Sequence, residues 1–160
     1  MNNYPHPILA KEGWPFIGIF LILAAIVTWW CPYGSIPLWL ILVFCVQFFR
    51  DPAREVAGGP KSIVAPADGR IIVVEESDDP YLKRRAIKVS VFMNVFNVHS
   101  NRAPIDCTVV EKWYMPSSFL NAALAKASTD NERCALHLKT ADDQQVTCVQ
   151  IAGLIARRIL

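Results

Sequence analysis

Charge is what the first third of this sequence lacks. Of the 16 Lys/Arg and 14 Asp/Glu residues, only Lys11 and Glu12 precede residue 50, and no charged side chain lies between Trp14 and Phe49. A stretch of that length with no polar face excludes an ordinary pair of soluble surface helices. A basic excess is also lacking: the net charge is +2 and the two signs are interspersed, which excludes a nucleic-acid reader working through a basic face. The five cysteines, at 31, 45, 107, 134 and 148, form no CxxC pair and no Cys/His cluster with zinc spacing, so no metal site is expected. An odd number with two members inside apolar segments reads as reduced thiols in a cytosolic setting. Internal repeats and low-complexity tracts are missing as well.

What is present divides the chain. Apolar residues make up 53% of it, too many for one soluble domain, and the excess sits at the N-terminus. "WPFIGIFLILAAIVTWW" (14–30) and "IPLWLILVFCVQFF" (36–49) flank "CPYGS", where Pro32 and Gly34 mark a turn. As helices they measure about 25 Å and about 21 Å at 1.5 Å per residue, slightly short of a bilayer's hydrocarbon core. The expectation is a helical hairpin anchoring the chain in a membrane over residues 1–49. A signal peptide fits less well, because the apolar part is long and doubled and no small-residue cleavage site follows it. Lys11 before the hairpin and Arg50, Arg54 and Lys61 after it, with an uncharged turn between, place both ends on the cytoplasmic side of the cell (inner) membrane.

Residues 50–62 ("RDPAREVAGGPKS") read as a linker, with Pro, paired Gly and mixed charge. Beyond it the pattern is β-like. "IIVVEE" (71–76), "AIKVSVFM" (86–93), "CTVVEKWYM" (107–115), "CALHLKT" (134–140) and "QVTCVQIAG" (145–153) are short, rich in β-branched residues and separated by turn residues. Only "SFLNAALAKAS" (118–128) has a helical pattern. The predicted fold class is mainly β (α+β): a hydrophobic helical hairpin, then an incomplete antiparallel β domain over 63–160 with one or two short helices.

Two residues stand out chemically. In "APADGR" (65–70), Asp68 lies between Pro66 and Gly69 just before a strand; turn chemistry accounts for it, with Asp bonding its own backbone and Gly at positive φ. In "VFMNVFNVHSNRAP" (91–104), His99 ends the apolar part and Ser-Asn-Arg-Ala-Pro follows it. Alternation through Val91, Met93, Val95 and Asn97 puts it on their face of a strand, where the face turns polar at the rim of a β core. "KASTDNER" (126–133) is a charged loop that is either solvated or a headgroup or self-association surface. His6 and His137 receive no function. Pattern alone stops at a membrane-anchored β domain with one Asp and one His at turn or strand ends.

Taken together and in order, "FFRDPAR", "APADGRI", "VFMNVFNVHSNRAPID", "FLNAALAKASTDNER" and "VQIAGLIARRI" resemble the short form of the phosphatidylserine decarboxylase proenzymes, from about Phe48 to Leu160. The resemblance implies an enzyme that converts phosphatidylserine to phosphatidylethanolamine and carbon dioxide at a membrane. Its cofactor is a self-derived pyruvoyl group, made when a serine attacks the preceding Gly carbonyl and the resulting ester undergoes β-elimination, leaving an α chain beside the β chain. It further implies that His99 is the base for self-cleavage and that Asp68 holds its imidazole. Long-form members carry a second histidine where this chain has Phe96. The family's Gly-Ser cleavage pair lies beyond a segment following "IAGLIARRI", so these 160 residues are expected to end before the pyruvoyl-forming serine, to leave a sheet edge exposed and to be inactive alone. The one Gly-Ser in the sequence, Gly34-Ser35, reads as a coincidence of turn composition. A non-catalytic, degenerate relative that binds lipid or a partner at the membrane is the competing expectation.

Overall fold

The structure, a computed structural model, describes residues 8–54, 58–59, 62–119 and 130–159. It divides into two compact units: Met1–Val56 with Met93–Asn101, and Ala57–Phe92 with Arg102–Leu160.

The first unit is built on two helices, α1 (Trp14–Trp30) and α2 (Ile36–Phe48), joined by a short 3-10 turn at Tyr33–Ser35. Each helix begins with a proline in its first turn, Pro15 and Pro37, where the missing N–H costs no intrahelical bond. Apolar side chains are exposed on nearly every side of α1, among them Phe16, Ile19, Ile22, Ile26 and Trp29. Small or slim residues fill the contact between the helices: Ala24 is fully buried, and Leu42 and Cys45 nearly so. A side-chain hydrogen bond joins the two helices. Trp39 Nε1 donates to Thr28 Oγ1 at 3.1 Å, while that hydroxyl donates to the Ala24 carbonyl at 2.6 Å. The helical stretch Lys11–Trp30 is long and apolar enough to cross a membrane, and Tyr33–Phe48 is a shorter apolar helix.

The second unit holds two antiparallel sheets. β1 (Arg70–Asp79) pairs with β2 (Arg84–Phe92), and β3 (Thr108–Met115), β4 (Arg133–Lys139) and β5 (Gln145–Ile151) form a three-stranded sheet with β4 in the centre. The buried apolar residues of this unit gather on and beside β4: Cys134, Ala135, Leu138 and Ala152. On the β1–β2 hairpin, by contrast, Val74 lies directly opposite Val89, and both are more than half exposed, as is Ile87. The α+β, mainly β architecture and all five expected strands are found. The helix expected over 118–128 lies, from residue 120 onward, outside the described residues, as do His6, Lys61 and Lys126.

The stretch from Asp130 is more than a solvated loop. Asn131 and Glu132 are buried. The Glu132 amide donates to the Ser118 carbonyl at 2.9 Å, its carbonyl accepts from the Ala152 amide at 2.8 Å, and Asn131 Nδ2 donates to the Ala152 carbonyl. Those bonds stitch the start of β4 to the end of β5 and to the segment after β3.

Candidate functional site

The chain leaves β2 at Phe92 and turns at once, where a continuous strand to His99 was expected. Asparagine explains the break. The Asn94 side chain accepts from the Phe96 amide and the Asn97 side chain from the Asn94 amide, each at 2.8 Å, and the Asn97 amide donates to the Asn94 carbonyl at 3.0 Å. Asn side chains that satisfy nearby backbone groups compete with ladder bonding. His99 is therefore not one of an alternating row on a strand face; it sits in an irregular segment just past a turn.

Within the first unit, that segment is held by residues at the end of α2. The His99 ring stacks on the Phe48 ring with centroids 4.1 Å apart and planes 27° off parallel. Three residues earlier, the Phe96 carbonyl accepts bonds from Gln47 Nε2 at 2.7 Å and Arg50 Nη2 at 2.9 Å. One residue later, Ser100 donates its hydroxyl to Asp51 Oδ1 at 2.6 Å and accepts from Arg54 on both its carbonyl (2.7 Å) and its hydroxyl oxygen (2.9 Å).

His99 Nδ1 is buried without a hydrogen-bond partner among the described residues. Burial of the ring, chiefly, and the nearby Arg50 guanidinium push the imidazole below the usual histidine range, while the Asn97 backbone carbonyl pulls it back. The net direction leaves the ring neutral at pH 7, the state in which a histidine accepts a proton.

Asp68 belongs to the second unit, half-buried in the bends before β1. Its loop is fixed by main-chain contacts. The Arg102 amide donates to the Pro66 carbonyl at 2.9 Å, Arg102 Nε to the Ala65 carbonyl at 3.0 Å, and the Val64 amide to the Pro104 carbonyl at 2.8 Å. Gly69 is not left-handed, contrary to the turn reading; Gly58 is the one glycine with positive φ among the described residues. Space is the reason for glycine here, because a Cβ on residue 69 would collide with the Phe92 carbonyl group. Asp68 and His99 thus fall in different units.

Gly34-Ser35, the one Gly-Ser in the sequence, lies in the turn of the hairpin. Ser35 is 2% exposed and its hydroxyl donates to the Pro32 carbonyl at 2.6 Å inside the hairpin turn. No group of three or more His, Cys, Asp and Glu side chains among the described residues is placed to hold a metal ion. His137 lies within β4 with its ring parallel to that of Trp113. The sequence reading missed the residues that hold His99: "FFRDPAR" gave only a linker and a string resembling the family, and contacts spanning about fifty positions leave no local signal.

An apolar helical hairpin whose last turn stacks on a half-buried histidine ring, followed by two antiparallel sheets, defines an α+β protein. The phosphatidylserine decarboxylase family profile matches residues 41–160. A phosphatidylserine decarboxylase proenzyme of Aromatoleum aromaticum is 59% identical over 160 residues, covering 99% of this chain and 74% of the relative. Those of Burkholderia ambifaria and Nitrosomonas eutropha are 57% and 54% identical, with the same coverage of each. The chain belongs to the phosphatidylserine decarboxylase family.

Proposed function

We propose that this chain supplies the β-chain part of a membrane-bound, pyruvoyl-dependent phosphatidylserine decarboxylase, with His99 as the base for self-cleavage of the proenzyme and Asp68 as the carboxylate that orients its imidazole. The observation that carries the reading is the His99 ring itself: stacked on Phe48, partly desolvated and held below the usual histidine range. A neutral imidazole can take the proton of a serine hydroxyl as that oxygen attacks the carbonyl before it. A carboxylate on the other ring nitrogen fixes the tautomer and stabilises the imidazolium that results. Supporting Asp68 in this role is its place in "APADGRI", within the residues 41–160 that the family profile matches. When present, the pyruvoyl group supplies an electron sink for loss of the carboxyl group; Gly34-Ser35 is not its source.

The proposed organisation is an anchor over 1–49, a linker over 50–62 and the decarboxylase-like domain over 63–160, with phosphatidylserine as substrate and the α chain of the same proenzyme as partner. The hairpin would lie in the inner membrane with both ends cytoplasmic, bringing the domain to a lipid headgroup. Lys11, Arg50 and Arg54 at its ends, and the absence of charge in its turn, support that orientation.

The test joins residues 1–160 to the quarter of the Aromatoleum aromaticum relative that the chain does not cover. On a denaturing gel this proenzyme is expected to separate into two chains, and His99→Ala to remain a single uncleaved band. Normal processing of His99→Ala would remove His99 from the role of base.

A further inference from the structure

The segment carrying His99 is fastened by an unbroken neighbourhood of sequence, Gln47 to Arg54, at the exit of the apolar hairpin. Phe48 lies under the ring. Gln47 and Arg50 hold the main chain three residues before it, and Asp51 and Arg54 hold Ser100 one residue after it. Fastening on both sides of a histidine leaves its backbone little freedom, and a ring stacked at 4.1 Å leaves χ2 little as well. The bonds to Ser100 join a carboxylate and a guanidinium through one hydroxyl, and charge-assisted bonds of that kind are shorter and stronger than neutral ones.

We infer that Phe48, together with the Asp51–Ser100–Arg54 latch, positions His99 for its reaction, so that the exit of the hairpin is part of the active-site scaffold as well as the end of an anchor. The inference rests on the reading of His99 as the self-cleavage base. Phe48 supplies one wall of the desolvated environment and fixes the plane of the ring; the latch sets where the ring is presented. Preorganisation of this sort matters because small displacements of a catalytic group cost large factors in rate. The charged groups around the ring are Arg50 at the end of α2, with Asp51 and Arg54 beyond it, acting on Ser100. A hairpin exchanged for an unrelated apolar helix would keep the protein on a membrane and lose this scaffold.

The experiment follows the rate of self-cleavage against pH in the joined proenzyme, alongside the titration of His99 by NMR in residues 1–160 held in lipid nanodiscs. Phe48→Leu is expected to slow cleavage about tenfold or more, in line with the cost of misplacing a catalytic group. It also exposes the ring, which moves both the acid limb of the rate profile and the His99 titration to higher pH. Phe48→Tyr keeps an aromatic platform and restores the wild-type profile. Phe44→Leu removes an equal ring one helical turn earlier; Phe44 contacts Phe48 at 5.8 Å, and this variant controls for loss of helix packing by leaving both midpoints in place. Ser100→Ala slows cleavage without removing the platform. A Phe48→Leu variant with wild-type rate and midpoints, beside an inactive His99→Ala, overturns the positioning role and leaves the base intact. Wild-type cleavage in His99→Ala overturns the base reading and this inference with it.

Discussion

Thr147, in the middle of β5, donates its hydroxyl to Oδ2 of Asp79, the last residue of β1, at 2.5 Å. The bond joins the two sheets of the second unit at a carboxylate that is 9% exposed. Its other oxygen accepts from the Tyr81 amide at 3.0 Å and the Leu82 amide at 3.4 Å, shaping the turn into β2. Arg84 lies 3.6 Å away, and the Tyr81 ring packs on Trp113 of β3, with centroids 5.2 Å apart. One aspartate thus caps a hairpin and ties it to the neighbouring sheet.

Removing that carboxylate should loosen the turn and the junction together. Asp79→Ala is expected to cost about 2–3 kcal/mol, the upper part of the range for bonds to a charged group, and Thr147→Val about 1.5 kcal/mol, its lower end. Arg84, roughly a third exposed, adds little because solvent screens it. Burial alone would raise the Asp79 pKa, but the Thr147 hydroxyl, the two amides and Arg84 outweigh it and hold it below the usual carboxylate range. The sign follows: a depressed folded pKa gives stability that is complete above the unfolded value, about 3.9, and is lost as pH falls through the folded value. Hydrogen exchange at the Tyr81 and Leu82 amides measures this locally. Protection that is unchanged in Asp79→Ala would show that these bonds do not hold the turn.

Gly69 gives a second prediction, with a steric origin. Because a Cβ there meets the Phe92 carbonyl, a backbone group that cannot swing aside, Gly69→Ala must part the start of β1 from the end of β2, where Arg70 pairs with Phe92. Overpacking of this kind costs about 1–3 kcal/mol. It also moves the Asp68 loop, so self-cleavage in the joined proenzyme should slow while His99→Ala-type complete loss is not reached. A thermal midpoint and cleavage rate equal to wild type would mean that the two strand ends separate freely. If positive φ were the reason for glycine, Asn would substitute well; collision predicts that Gly69→Asn fares no better than Gly69→Ala.

How much of this was legible beforehand depends on how local each cause is. The hairpin was readable because α1 and α2 lie in a run without charge and break at Pro32, all within one window of sequence. The strands were readable from β-branched residues and alternation. Their extensions, Ser77–Asp79 and Arg84–Arg85, were missed because they are polar; opposite charges face each other across them, as in Asp78 with Arg85. Alternation was carried too far past Phe92, since it cannot register that Asn94 and Asn97 bind backbone groups. Asp68 and His99 stood out by their places at a turn and at the end of an apolar run and took their roles only from resemblance to a family, whereas Phe48 and the Ser100 latch are tertiary facts.

Serine 35 supplies the last prediction. The sequence contains one Gly-Ser pair, and the structure buries that serine in the hairpin turn with its hydroxyl committed to the Pro32 carbonyl. A hydroxyl already donating to a carbonyl inside an apolar turn is a poor nucleophile toward the preceding residue, whose carbonyl it would have to reach by undoing the turn. Residues 1–160, purified alone into phosphatidylserine vesicles, are therefore expected to stay one band on a denaturing gel and to release no labelled carbon dioxide from the substrate carboxyl group. In the joined proenzyme, Ser35→Ala should cleave at the wild-type rate, at a cost of about 1 kcal/mol for the lost bond. Carbon dioxide release by residues 1–160, abolished by Ser35→Ala, would instead make the hairpin turn the source of the cofactor and would require the turn to open in the active protein.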